Sequence, residues 1–317
     1  MGGGIKALVT SGFRLHLGFY RFYDPPFKYG SLGLGISEPK FELVIRHPGK
    51  GIIEGFDEVG AGVITKVLKE LGLSNDVDVS LKGFMAHHVG LGSITKVVMS
   101  LIAGLSKLGL VNDDLVKLAK RLGRGRFSCT GIYSSIYGGF IVDTGIYGEG
   151  TPKLMLRLKF PTEWYAVTVI PKGIKGLSDR EERRFMEEPK LFSKQSDLYA
   201  YLISLVTAIN IRDFNLFSSS LRKIQYLTGQ YFSPIQGGIY CCDVVEEIVK
   251  FFLSKGIEGV GQSSWGPTCY GFIEGYTNAE VVKDELLKYL NDIGIDAYVF
   301  ISPPDNQGVS VRLLKNS

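Results

Sequence analysis

Two glycines and two hydroxyls mark the first place in this 317-residue chain where chemistry could be done. The run Gly90-Leu91-Gly92-Ser93-Ile94-Thr95 stands between a strand-like stretch and a long amphipathic one. Glycines there let the main chain approach a ligand at positive φ. A helix beginning just after them offers an anion free N–H groups and the positive end of its dipole. Ser93 and Thr95 add hydroxyl donors. The chemistry this suits is phosphate binding. The spacing is not that of a Walker A loop, and it does not complete the GxGxxG of a dinucleotide fold. Taken alone, a glycine-rich turn before a helix is more often a plain cap.

Three further segments carry side chains suited to a charged substrate. Within Ser11–Gly18, Arg14 and His16 fall on one face of a strand. The block Gly123-Arg124-Gly125-Arg126-Phe127-Ser128 precedes Gly138–Gly145, an apolar strand that ends in Asp143. The third is Gly259–Thr268, with Gln262, Ser263, Ser264, Trp265 and Thr268. His87-His88 has no third ligand at a suitable spacing and reads as loop packing rather than a metal site. Cys129, Cys241, Cys242 and Cys269 form no CxxC or Cys/His pattern and are expected to be reduced thiols.

Strands and helices in mixed order must position these groups, which gives an α+β fold. Ile5–Thr10 and Phe13–Phe19 read as strands joined by a turn at Ser11-Gly12, Phe41–His47 as another, and residues 24–39 as a loop. Val59–Leu71 has helical spacing and ends at Gly72; Val77–Phe84 alternates as a strand. Ile94, Val97, Val98, Leu101, Ile102, Leu105 and Leu108 give four helical turns, and a second helix starts at Asn112. Strands follow at Met155–Phe160 and Tyr165–Pro171, then a charged, surface-exposed stretch over 172–195 that could serve as a lid. Helical patterns occupy 196–209, 212–228 and 242–255. The tail alternates as strand 257–262, strand 268–274, helix 278–292, strand 295–301 and strand 308–314, a split β-α-β lobe.

Composition narrows the classes further. Hydrophobic residues make up 45% and charged ones 21%, which excludes a disordered chain. The net charge of +4 arises without a Lys/Arg block, so no nucleic-acid footprint is expected. No apolar run is long enough for a membrane span, and a soluble, cytoplasmic protein is expected.

In their order along the chain, these segments, with Gln236-Gly237-Gly238, resemble the GHMP superfamily of small-molecule kinases. Within it they resemble the archaeal β-ribofuranosylaminobenzene 5′-phosphate synthase family. The resemblance covers nearly the whole chain and is most specific at Gly123–Ser128 with Gly139–Asp143, and at Gln262–Thr268. Ile94 and Lys96 depart from the pattern, where a small residue and Gln are expected.

The resemblance implies a two-lobed fold. Residues 1–160 would form a ribosomal-protein-like α/β lobe with the phosphate loop, and 161–317 a ferredoxin-like lobe. It implies a homodimer and a Mg²⁺-dependent, decarboxylating transfer of phosphoribosyl from 5-phosphoribosyl 1-diphosphate to 4-hydroxybenzoate or 4-aminobenzoate. CO2 and diphosphate are released, in methanopterin-type cofactor synthesis. On that reading Gly90, Gly92, Ser93 and Thr95, helped by Arg124 and Arg126, take the phosphates. Arg14 and His16 hold the benzoate carboxylate or the ribose phosphate, and Asp143 holds Mg²⁺ or the ribose hydroxyls. Asp143, Arg126 and His16 are the expected catalytic residues. Ser128, Gln262, Ser263, Ser264 and Thr268 complete the substrate site, with Trp265 as an aromatic wall. Two other functions compete: an ATP-dependent kinase of the same superfamily, and a binding protein without turnover. Such kinases carry an Asp after the Ser-Gly of their second region, but Ser128-Cys129-Thr130-Gly131-Ile132 has no acid.

Overall fold

In the computed structural model, which describes residues 4–315, the chain does not turn at Ser11-Gly12. One strand, β1, runs from Ile5 to Asp24 and the next, β2, from Phe27 to His47, so most of the expected loop over 24–39 is strand as well. The reversal falls at Pro25-Pro26. The glycines that read as turn residues serve close approach instead. A Cβ on Gly12 would overlap the Ile36 carbonyl oxygen, one on Gly30 the Tyr20 ring, and one on Gly33 would lie 2.6 Å from Thr130 Cβ. Register shifts at Ser11/Phe13, His16/Gly18 and Phe19/Arg21 bend the long ribbon.

The first half continues with β3 (Ile53–Glu54), α1 (Glu58–Glu70), β4 (Asp78–Gly83), α2 (Ser93–Lys107), α3 (Leu115–Arg121) and α4 (Thr130–Tyr137). Short strands β5 (Phe140–Asp143), β6 (Ile146–Tyr147) and β7 (Leu154–Leu158) follow. The expected helix start at Asn112 falls slightly later, where the Asp114 carboxylate accepts from Lys117 N–H. Among the described residues these strands and β12 (Ser310–Lys315) form an eight-stranded sheet along β12-β1-β2-β4-β3, with β5 and β6 on β2 and β7 on β5. Its outlying member, β12, comes from the far end of the chain and pairs antiparallel with β1 from Ile5↔Lys315 to Thr10↔Ser310. Helix α2 lies across this sheet, close enough that a side chain on Gly104 would strike Val9 and Ile45.

The second half holds β8 (Trp164–Pro171), α5 (Asp179–Met186), α6 (Gln195–Ile211), α7 (Phe214–Gln236) and α8 (Asp243–Ser254). It ends with β9 (Val260–Gln262), β10 (Cys269–Glu274), α9 (Tyr276–Asp292) and β11 (Ala297–Ser302). Strands β11-β8-β10-β9 make an antiparallel sheet in the order expected of a split β-α-β unit. Val167, Val169, Ile248, Phe252, Leu286 and Leu290 form its own apolar core beneath α8 and α9. Helices α6 and α7 pack against β1, and α7 also against β9, so α7 joins the two sheets. The charged stretch 172–195 is partly ordered as α5, entered through a capping box in which Ser178 and Glu181 satisfy each other's main-chain N–H. Among the described residues no helix is long and apolar enough to cross a membrane.

Gly12 gives the test of close approach. Gly12→Ala must push the Ile36 carbonyl aside and is expected to cost about 2–3 kcal/mol in chemical denaturation. Gly72→Ala, at φ +70 with open space around it, pays only the left-handed backbone cost of about 1 kcal/mol. Equal losses at the two sites would refute the packing account.

Candidate active site

Helix α2 begins at Gly92, whose φ of +70 ends the glycine loop, and no side chain caps its first turn. The N–H groups of that turn open onto a cleft of ≈ 170 Å³. Strand β1, the 123–128 loop, the 264–266 loop and the start of α5 supply the other walls. Arg14, His16, Gly90, Gly92, Ser93, Thr95, Arg124, Arg126, Ser128, Ser264 and Trp265 all line it, so one cavity gathers most of the residues singled out in the sequence.

Their roles differ once the geometry is known. The guanidinium of Arg14 packs under the glycine loop, with Nη1 3.5 Å from the Gly90 carbonyl and no acceptor for Nε. Burial lowers its pKa to about 10, which leaves it a full cation at neutral pH. His16 is held neutral, its pKa pushed well below 6.5 by burial and by Arg14. Its Nδ1 accepts from Gly18 N–H at 3.2 Å, which places the ring proton on Nε2. The imidazole is therefore a donor, not a cation. Ser93 turns its hydroxyl back onto the Ala86 carbonyl, leaving the first-turn N–H groups and Thr95 for a ligand.

Four expected site residues lie behind the walls. Ser263 is buried; its hydroxyl accepts from His16 N–H at 2.8 Å and donates to the Gly90 carbonyl at 2.7 Å. Thr268 is buried too, and its N–H donates to the Val89 carbonyl. Gln262 lies in a narrower crevice behind Trp265, where it accepts from Cys241 N–H and donates to the Ser264 carbonyl. Asp143 is fully buried and does not face the cleft. Its Oδ1 accepts from Ser31 N–H and Gly145 N–H, and its Oδ2 from Cys129 N–H and the Ser31 hydroxyl. A carboxylate with four donors on it has no oxygen turned to a metal in the cleft.

The two departures from the expected loop pattern also separate. Ile94 lines the cleft. Lys96 points the other way, buried, donating to Ser11 Oγ at 2.8 Å and Ser135 Oγ at 2.9 Å, with burial lowering its pKa to about 8. Arg126 pairs with Glu187 at the rim. His87 packs with Nε2 2.9 Å from Asp57 Oδ1, whereas His88 lines the cleft. Sequence reasoning missed Phe19, Phe127, Leu177, Glu182 and Arg183 as cleft residues. The last three belong to the α5 segment, tied down where Trp265 Nε1 donates to Glu182 at 3.2 Å. The signal available for them was the Ser178-x-x-Glu181 capping box.

This fold has counterparts among known proteins. Residues 205–292 match the family described as GHMP kinases C terminal. Homoserine kinase from Cytophaga hutchinsonii superposes with a TM-score of 0.71 at 19% identity, over 98% of both chains. Mevalonate diphosphate decarboxylase from Staphylococcus aureus gives 0.66 at 16%, over 97% of this chain and 98% of that one. The chain has the GHMP kinase fold. In sequence it resembles the β-ribofuranosylphenol 5′-phosphate synthases over most of its length. It is 24% identical over 312 residues to that of Methanocaldococcus jannaschii, covering 88% of this chain and 92% of the relative. To that of Archaeoglobus fulgidus it is 26% identical over 313 residues, covering 90% and 92%.

The neutral His16 gives a signed pH test. A base whose pKa is lower folded than unfolded binds fewer protons when native, so its stability contribution is full above about pH 6.5 and falls below it. The loss at pH 5.5 is about 1.4 kcal/mol for such a group. Thermal melts of His16→Asn, which keeps an acceptor for Gly18, are expected to lose that much less than the wild type on going from neutral pH to 5.5. Identical acid losses would mean His16 is charged in the fold.

Proposed function

We propose that the chain is a phosphoribosyltransferase that joins the ribosyl carbon of 5-phosphoribosyl 1-diphosphate to the ring of 4-hydroxybenzoate, with loss of CO2 and diphosphate. The observation that carries this reading is an anion cradle and aromatic walls in a single cleft: the α2 N-terminus with Arg14 on one side, Phe19, Phe127 and Trp265 on the others. The names of the relatives support a synthase whose product is a phenol, which favours the hydroxybenzoate over the aminobenzoate.

Two demands of the reaction match residues in the cleft. The leaving diphosphate needs positive charge and N–H donors, supplied by the first turn of α2, Thr95, Arg14, Arg124 and Arg126. The ring carbon must be held over the anomeric carbon, and such positioning is worth about 7–11 kcal/mol of the barrier. Trp265, fixed by Glu182 and packed 4.6 Å from the Phe232 ring, is the rigid wall for it. The neutral His16 offers its Nε2–H to an oxygen of the substrate. Mg²⁺ would enter as the counter-ion of the diphosphate and neutralise the leaving group. Glu182 is the one acid among the described residues lining the cleft and would hold it, whereas Asp143 does not fit as a ligand.

Protein and Mg²⁺ incubated with 5-phosphoribosyl 1-diphosphate and carboxyl-labelled 4-hydroxybenzoate are expected to release labelled CO2 and diphosphate in equal amounts. Arg14→Met should lower kcat/KM about a hundredfold, as for loss of an oxyanion-type contact. Arg126→Ala, at the rim, should lower it about tenfold. ATP turnover with an alcohol acceptor and no CO2 would make the chain a kinase instead.

A further inference from the structure

Behind the cleft surface a line of hydroxyls ends on the buried carboxylate. Ser128 is half-buried and lines the cleft between Phe127 and the start of α4. Behind it stands Ser31, on β2 and with no solvent exposure. Ser31 Oγ lies 2.7 Å from Ser128 Oγ and 2.7 Å from Asp143 Oδ2. Ser31 has one proton to give and an ionised carboxylate can only accept, so Ser31 donates to Asp143 and accepts from Ser128. The Ser128 proton is then committed inward, and Thr130 Oγ1, 2.9 Å away, donates to Ser128 in turn. Every link points toward Asp143.

The remaining donors fix the terminus of this line. Ser31 N–H and Gly145 N–H at 3.0 Å hold Oδ1, and Cys129 N–H at 2.9 Å steadies Oδ2. Desolvation raises the Asp143 pKa to about 6, against the pull of those hydrogen bonds. The titratable groups around it are Arg14 and Tyr20 from β1, and Cys129 and Tyr133 at α4, with the Tyr20 hydroxyl on the Asp143 carbonyl. A carboxylate ionised at neutral pH, yet close to it in proton affinity, suits an acceptor that must later give the proton back.

We propose that Ser128, Ser31 and Asp143 form a proton relay that takes the para-hydroxyl proton of the aromatic acceptor and returns it in the same turnover. This rests on the phosphoribosyl-transfer reading. The para O–H bond breaks and its proton goes to Ser128 Oγ, as Ser128 passes its own to Ser31 and Ser31 passes its own to Asp143 Oδ2. The freed electron pair moves into the ring. The ring carbon bearing the carboxylate bonds to the anomeric carbon, and the anomeric C–O pair leaves with diphosphate. The C–CO2 bond then breaks, its pair restores the aromatic ring as a phenolate, and the phenolate oxygen recovers the proton along the same line. No proton is lost to solvent and no oxidant or reductant is needed. Ser31, which touches no substrate, is a positioning and relay residue.

The test uses the full chain, with steady-state rates between about pH 5 and 8. The acceptors are 4-hydroxybenzoate and a ring-fluorinated analogue whose para hydroxyl is already ionised at the assay pH. The wild-type kcat is expected to rise with pH through the Asp143 titration. Ser31→Ala should lower kcat for 4-hydroxybenzoate at least about tenfold while KM for the phosphoribosyl donor moves less than about threefold. Its acid limb should flatten, and the ionised analogue should recover most of the lost rate. Ser128→Ala, at the exposed link, should repeat the pattern and keeps the test decisive if Ser31→Ala does not fold. Wild-type rates in either folded variant, or a loss that the ionised analogue does not recover, overturn the relay alone. A wild-type chain that releases no CO2 from either acceptor overturns the phosphoribosyl-transfer reading and the relay with it.

Discussion

A single buried hydroxyl holds the site together. Ser263 Oγ receives the His16 N–H from the first sheet and gives its proton to the Gly90 carbonyl. Three chain segments far apart in sequence meet at that oxygen: β1, the glycine loop and the end of β9. Gly90 must be glycine for this contact, because a Cβ there would overlap the Ser263 carbonyl oxygen. The Thr268 N–H on the Val89 carbonyl and the Arg14 N–H on the Leu91 carbonyl close the rest of the clamp. The anion cradle is thus set by the second sheet as much as by the helix it introduces, and a buried bond left half-made there would cost the full desolvation of its partner.

The floor of the cleft is electrically uneven. Arg14 and Lys96 put two buried cations beneath it, His16 stays neutral between Arg14 and the aromatic wall, and Asp143 contributes the buried anion. Lys96 hydrogen-bonds only to the two hydroxyls, with Asp305 the acid that acts on its charge from nearby. A poly-anion entering the cleft meets that field with little water to screen it. The carboxylate missing from residues 129–132 is not missing from the region, since Asp143 reaches the same turn from β5 through the Cys129 N–H.

Much of this was legible in the sequence, and the failures have physical causes. Helix α2 and its glycine entry were plain because a strong 3.6-residue period begins just after Gly92. The order of β9, β10, α9 and β11 was plain because two-residue apolar alternation brackets a helical period there. The β1–β2 ribbon was misread because glycine signals a turn and a close approach alike, and only a neighbour such as the Ile36 carbonyl tells them apart. In the site, charge and rarity located Arg14, Arg124, Arg126 and Trp265 in the cleft. The same cues put Asp143 among the ligands of the site, since nothing local shows that Ser31, over a hundred residues earlier, would cover it. Ser31 itself had no signal at all: a serine in a run of Gly and Leu reads as turn material.

The strand that closes on β1 also sets a timetable. Residues 310–315 supply the neighbour of Ile5–Thr10, so that edge of the first sheet stays open while the roughly three hundred residues between them are being synthesised. An open edge of alternating apolar residues invites pairing with other chains. The long ribbon, α2 and the core between them can form earlier, but the sheet gains its last strand only after residues 310–315 have been made. The newborn protein therefore passes through a stage with its hairpin built and one flank bare. That flank is covered only once Ser310–Lys315 has paired with Ile5–Thr10.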